Sequence, residues 1–126
     1  MKKVAVLGAG MVGRAIAFDL AKNFEVTSID INDDNLKLIK AKNENIHTIK
    51  KDLTLYGDYS SFLQSFYLIV TAVPGFMGYK TLQAVITSKK NVVYISFFPE
   101  NALALDALSK QNNVTAIVDC GVAPGM

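Results

Sequence analysis

The sequence predicts an α/β fold: a parallel, doubly wound sheet covered by helices on both faces. Three observations carry that expectation. Six short apolar runs alternate with longer amphipathic segments, the first run ends directly in Gly8-Ala9-Gly10-Met11-Val12-Gly13, and Asp30 closes the second. Strands that alternate with helices pair in parallel through right-handed crossovers, and the usual strand order is then 3-2-1-4-5-6.

Lys3 to Leu7 is β-branched and apolar and reads as the first strand. Met11 to Lys22 follows as a helix, with Val12, Ile16, Phe18 and Leu20 supplying its packing face. Glu25 to Ile29 is the second strand. Asp33 reads as the N-cap of a helix through Lys40, since its carboxylate can accept free amides of the first turn. Asn45 to Ile49 is a shorter third strand and Tyr59 to Gln64 a short helix. Phe66 to Val73 is nearly all apolar, as a strand buried on both faces should be, and Pro74-Gly75 stops it. Tyr79 to Ser88 is a helix whose C-terminal end suits Lys89 and Lys90. Val92 to Ile95, Glu100 to Lys110 and Val114 to Val118 complete the pattern as strand, helix and strand.

Composition narrows the function classes. At 126 residues the chain has the size of one domain, 1–126, with 51% hydrophobic and 19% charged residues. Its net charge of +2 is spread without a dense basic block, so the electrostatic footprint of a nucleic-acid binder is missing. Only four apolar residues separate Lys2-Lys3 from Gly8, too few for a signal peptide or a membrane span. The single cysteine, Cys120, permits no internal disulfide and suits a reducing cytoplasm. No group of residues has metal-ligand spacing, and the lone histidine, His47, reads as a surface or half-buried residue of an edge strand.

A G-x-G-x-x-G run is weak evidence alone, but here it lies between a strand and a helix, where a dinucleotide site needs it. Gly8 permits the tight turn, Gly10 lets the backbone approach a pyrophosphate, and Gly13 lets the helix pack on the strand. The free amides at Met11 and Val12 then face the phosphates. Asp30 falls 17 positions after Gly13, close to the roughly 20 expected of the acid that binds the adenosine ribose. A carboxylate there accepts from ribose hydroxyls and repels a 2′-phosphate, and no arginine lies nearby to reverse that preference, so NAD is favoured over NADP. Asp52 and the Leu53 backbone border the expected adenine position, although a solvated loop aspartate reads equally well. Ala72-Val73-Pro74 ends the fourth strand across the switch point and would run beside the pyrophosphate and the nicotinamide ribose. Ser96, Asp119 and Cys120 fall at the same end of the sheet. A packed thiol is the better reading of Cys120, because no histidine partners it. No residue presents itself as the catalytic acid or base.

These residues resemble the amino-terminal domain of the saccharopine dehydrogenase family, its lysine-6-dehydrogenase-like members above all. The resemblance runs along the whole chain. It rests on Val6 to Gly13, Asp30, the Asp52 loop, Ala72-Val73-Pro74, and most specifically the ending Asp119-Cys120-Gly121-Val122-Ala123-Pro124-Gly125-Met126. It implies a nicotinamide-dependent oxidoreductase acting on lysine or a lysine-derived amino acid, with substrate contacts in a second domain and a homodimer as a possible assembly. On that reading the 126 residues are the cofactor half of a longer protein and inactive alone. Ser96-Phe97-Phe98-Pro99 departs from the more polar loop of the family. The other reading is a regulatory nucleotide-sensing module of potassium channels and transporters, which shares the glycine turn and a strand like Glu25 to Asp30. Pro74 and the Gly121-to-Met126 ending are unlike those modules.

Overall fold

The computed structural model describes residues 2–73, 75–94 and 110–118, and of residues 75–79, 117 and 118 the backbone alone. The first apolar run forms β1 (Lys3–Leu7), whose Val4 to Leu7 are fully buried because both faces of this strand are covered. After the glycine turn, α1 (Met11–Leu20) crosses back over the sheet to β2 (Glu25–Asp30). Helix α2 (Asp33–Lys42) then leads to the edge strand β3 (His47–Lys50). A 3-10 turn (Tyr56–Asp58) and the single-turn α3 (Tyr59–Phe62) lead into β4 (Leu68–Thr71). Helix α4 (Gly75–Thr87) connects it to β5 (Val92–Tyr94), and β6 (Ala116–Val118) lies last. All neighbours are parallel, and the order is β3-β2-β1-β4-β5-β6, as the sequence predicts.

Side chains alternate across a strand, so β1 feeds two separate cores. Val4 and Val6 join Ala17, Val26, Leu36 and Ile39 beneath α1 and α2. Ala5 and Leu7 join Ile29, Ile69, Leu82 and Ile86 beneath α3 and α4. The connection reverses between β1 and β4, and it is there that the carboxyl ends of the strands open a crevice.

Several boundaries differ from expectation for local reasons. Asn32, not Asp33, caps α2: its side chain accepts from the Asn35 amide at 3.1 Å, and Asp33 and Asp34 lie in the first turn against the positive end of the helix. β4 is shorter than the apolar run because the Phe66 amide is taken by Leu63 C=O, closing the preceding turn. Helix α4 begins at Gly75, directly after that strand, so its first turn falls where the sequence suggested only a break. Lys90 does not serve the end of α4; its ammonium donates to Gln64 C=O and Phe66 C=O at 2.9 and 2.8 Å. His47 is exposed on β3. The expected helix from Glu100 lies outside the described residues apart from its last residue, Lys110. No helix among the described residues is long and apolar enough to cross a membrane.

Among the described residues Tyr59 is the largest fully buried side chain. Its hydroxyl donates to Leu53 C=O at 2.7 Å, fastening the start of α3 to the loop after β3. Burial pushes the phenol up to about 12, opposed by the nearby Thr81 hydroxyl, which itself makes no hydrogen bond of ordinary geometry. With the folded value raised above that of the unfolded chain, the contribution of the neutral phenol is complete below about pH 10. It is lost as the pH rises towards 12. Tyr59→Phe should cost about 1–3 kcal/mol in urea unfolding at pH 7, because Leu53 C=O loses its donor. The gap between wild type and variant should close across that alkaline window.

Candidate functional site

The glycine turn is a place where three backbone segments touch. Gly8 has φ +105°, a conformation that side chains beyond glycine resist, and a Cβ there would lie 2.5 Å from Ala72 O. A Cβ on Gly13 would drive into the Gly8 carbonyl oxygen. Gly8 N donates to Ile29 O and Ala72 N to Leu7 O, both at 2.8 Å, so the ends of β1, β2 and β4 are tied around the turn. Gly10 differs from its neighbours: a Cβ there would meet nothing within 4 Å. Packing therefore requires glycine at 8 and 13, whereas Gly10 faces open space.

Helix geometry leaves the first amides of α1 without acceptors; Arg14 N, donating to Gly10 O at 2.8 Å, is the first to find one. Gly10 supplies no side-chain cap, and no acid lies in the first turn of α1. Helix α2 is the contrast, with Asn32 capping it and two aspartates in its first turn. Met11 is 80% and Val12 49% exposed, so the start of α1 is open to a ligand. An uncompensated positive helix end beside a cradle free of Cβ atoms fits a diphosphate.

Asp30 stands at the end of β2 with both carboxylate oxygens anchored. Oδ2 accepts from Ala9 N at 2.6 Å, and Oδ1 accepts from Asn32 N at 2.8 Å. An ionised carboxylate has about four lone-pair sites, so roughly two stay available for ribose hydroxyls. The bond to Ala9 N joins the acid to the glycine turn itself. Asp30 does not cap α2; Asn32 does.

One expectation needs correction. The sequence reading has no arginine near Asp30, but the fold brings Arg14, the only arginine of the chain, to Ala9, whose amide donates to Asp30. Its Nη1 donates to Ala9 O at 3.1 Å and to Asn35 Oδ1 at 3.2 Å. Because α1 and α2 lie side by side on one face, residue 14 meets residue 35. Sequence reading missed Arg14, Asn32 and Asn35. It also passed over Ile31, an apolar side chain 56% exposed directly after Asp30. The available signal was the position of Arg14 immediately after the last fingerprint glycine.

Asp52 and Leu53 follow β3 at the same end of the sheet, each with local partners. Asp52 Oδ1 accepts from the Thr54 hydroxyl at 2.6 Å and the Thr54 amide at 2.9 Å, which hold its carboxyl below the ordinary value. Leu53 is buried, and its carbonyl takes the Tyr59 hydroxyl. Ala72 and Val73 are half-buried, with Ala72 against Gly8. Pro74, Ser96, Asp119 and Cys120 lie outside the described residues. A separate groove on the α3–α4 layer is lined by Tyr56, Ser60, Lys80, Gln83 and Thr87, with nothing from the glycine turn. Its place away from the carboxyl ends of the strands sets it apart from the glycine turn. Among the described residues no group of three or more His, Cys, Asp or Glu could hold a metal ion.

Residues 4–117 match the family described as the saccharopine dehydrogenase NADP binding domain. No curated protein matches the chain. Among solved structures, apo saccharopine dehydrogenase (L-Glu forming) from Saccharomyces cerevisiae is similar with a TM-score of 0.84 at 21% identity, over 99% of this chain and 28% of that one. GenD2 from gentamicin A biosynthesis, in complex with NAD, gives 0.73 at 18% identity, over 93% and 34%. Scyllo-inositol dehydrogenase from Lactobacillus casei, with NAD(H) and scyllo-inositol, gives 0.74 at 13%, over 94% and 36%. At these identities the likeness is one of fold, and the chain spans about a third of the length of each structure.

The three glycines should separate on substitution. Gly8→Ala and Gly13→Ala should each lose about 1–3 kcal/mol or more, from strain at positive φ and from overpacking. Gly10→Ala should stay within about 0.5 kcal/mol of wild type, as an open surface position does. Urea unfolding of the three variants checks the ranking.

Proposed function

The chain belongs to the saccharopine dehydrogenase NADP binding domain family, and from that premise we propose that it is the NAD-holding domain of an oxidoreductase acting on lysine or a lysine-derived amino acid. The observation that carries the cofactor half of this reading is the uncapped start of α1, opening on the free space at Gly10 beside the Asp30 carboxylate. The amides of Met11, Val12 and Gly13 hold the pyrophosphate. Asp30 grips the adenosine ribose, already oriented by Ala9 N and Asn32 N. Asp52 and Leu53 border the adenine, the Leu53 carbonyl being already taken by the Tyr59 hydroxyl. Ala72, Val73 and Pro74 border the pyrophosphate and the nicotinamide ribose.

When bound, the nicotinamide supplies a hydride acceptor for a substrate carbon that bears an amine. The domain's own work is to hold that cofactor in one pose; substrate contacts and proton transfer belong to a second domain. The amine substrate is inferred from the family, and a cytoplasmic enzyme working as a homodimer completes the proposal. Supporting NAD as the preferred cofactor is the negative charge of Asp30, which disfavours a 2′-phosphate.

Fluorescence titration with NADH and NADPH tests the cofactor assignment. Wild type should bind NADH more tightly, and Asp30→Asn should weaken NADH by about tenfold, the scale of one hydrogen bond to a charged group. Gly10→Ala should weaken both dinucleotides while the protein stays folded. Tighter binding of NADPH than NADH by the wild type would remove the preference for NAD.

A further inference from the structure

The loop that follows β3 is held in two different ways. Its shape is internal: Asp52 Oδ1 accepts from the Thr54 hydroxyl and amide, and Leu55 N donates to Asp52 O at 3.3 Å. Those bonds fold the loop on itself and leave its place in the molecule open. Its place is set by bonds that leave it. At the start, Lys51 N donates to Asp30 O at 3.0 Å, which carries the pairing of β3 with β2 one step further and ties the loop to the strand of Asp30. Two residues on, the Tyr59 hydroxyl donates to Leu53 O at 2.7 Å.

The Tyr59 ring is a rigid support for that second bond. It shares the core beneath α3 and α4 with Leu63, Leu82, Val85 and Ile86. The Phe62 ring stands edge-on to it at 5.1 Å, and the Tyr56 ring lies 5.7 Å away at 45°. A tyrosine ring packed on several sides has its torsions locked, so its hydroxyl is presented at one point. Lys51 makes another link to the same helical turn, with Nζ 3.4 Å from Asp58 Oδ2 and 5.0 Å from the centre of the Phe62 ring. Asp58 is exposed, and an ion pair in that setting contributes little. The Tyr59 bond is buried, where water does not replace a lost donor, so it decides where Leu53 stands. The Asp30 carboxylate is fixed separately, by Ala9 N and Asn32 N.

Resting on the reading of Asp52 and Leu53 as the adenine border, we propose that Tyr59 is a positioning residue for the adenosine end of the cofactor. Without touching the ligand, its hydroxyl holds the Leu53 main chain at the spacing from Asp30 that an adenosine needs. Loss of the hydroxyl leaves the loop its shape but frees its place, so part of the binding energy then goes into restoring the loop.

The test measures Kd for 5′-AMP and NADH on wild type and Tyr59→Phe well below both Tm values, so that only folded protein is read. Tyr59→Phe should weaken 5′-AMP and NADH by the same factor, about three- to tenfold, the scale of one hydrogen bond. In ¹⁵N–¹H spectra at saturating NADH, the shifts at Gly10 to Gly13 should persist while those at Asp52 to Thr54 change. Unchanged Kd values beside a lowered Tm overturn the proposal and leave Tyr59 as core packing alone. A loss for NADH that 5′-AMP does not share overturns it too, since the effect then lies away from the adenosine. Should Tyr59→Phe not fold, hydrogen exchange of the wild type decides, because coupling between loop and hydroxyl is reciprocal. Saturating 5′-AMP should slow amide exchange from Tyr56 to Leu63, and exchange left unchanged there overturns the proposal. A wild type that binds 5′-AMP without shifts at Asp52 to Thr54 overturns the adenine-border reading itself, and the proposal with it.

Discussion

Everything at the functional corner depends on how closely three backbones approach where β1 ends. Gly8 lies against the Ala72 carbonyl and Gly13 against the Gly8 carbonyl, with no room for a side chain at either. That contact brings the start of α1 down onto the sheet and lets Ala9 reach Asp30 on the neighbouring strand. Were α1 to stand further off, its first amides would point past the crevice. The open helix start is therefore a by-product of packing at Gly8 and Gly13, and Gly10 leaves the space beside it clear.

The electrostatics follow from the same geometry. Helices α1 and α2 both start at this end of the sheet, and the chain treats them differently. The start of α2 is neutralised by Asn32, Asp33 and Asp34, whereas that of α1 has neither cap nor acid. A helix end left positive beside open space attracts an anion with about 0.3–1 kcal/mol, more where water is excluded. Asp30 would oppose an anion placed too near, but its two main-chain donors fix the position of its carboxylate. At the same corner Arg14 Nη1 donates to Ala9 O and to Asn35 Oδ1.

Much of this was legible in the residues. The strand order, the turn and Asp30 could be read because each depends on a short local signal: an apolar run, a spacing of glycines, an acid at the end of a strand. The hydrogen bonds that join residues 9, 14, 30, 32 and 35 could not, because they exist only once α1 and α2 lie side by side. The same limit explains Asn32. Asx residues at 32, 33 and 34 could all cap, and the backbone at 32 decides between them by staying extended. The apolar run from Phe66 to Val73 hid its own boundaries, since turn closure at Phe66 and helix entry at Gly75 leave no polar mark. The stretch that most sharply carries the family resemblance, 119–126, falls beyond the matched residues 4–117, so membership rests on the rest of the chain.

The most direct measurement is a ¹⁵N–¹H chemical-shift map of the chain titrated with NAD. The account expects the largest, saturable shifts at the amides of Gly10, Met11, Val12 and Gly13, with a second group at Asp30 and Asn32. Shifts centred instead on Tyr56, Lys80 and Gln83 in the α3–α4 groove, or none at the glycine turn at millimolar NAD, would contradict it.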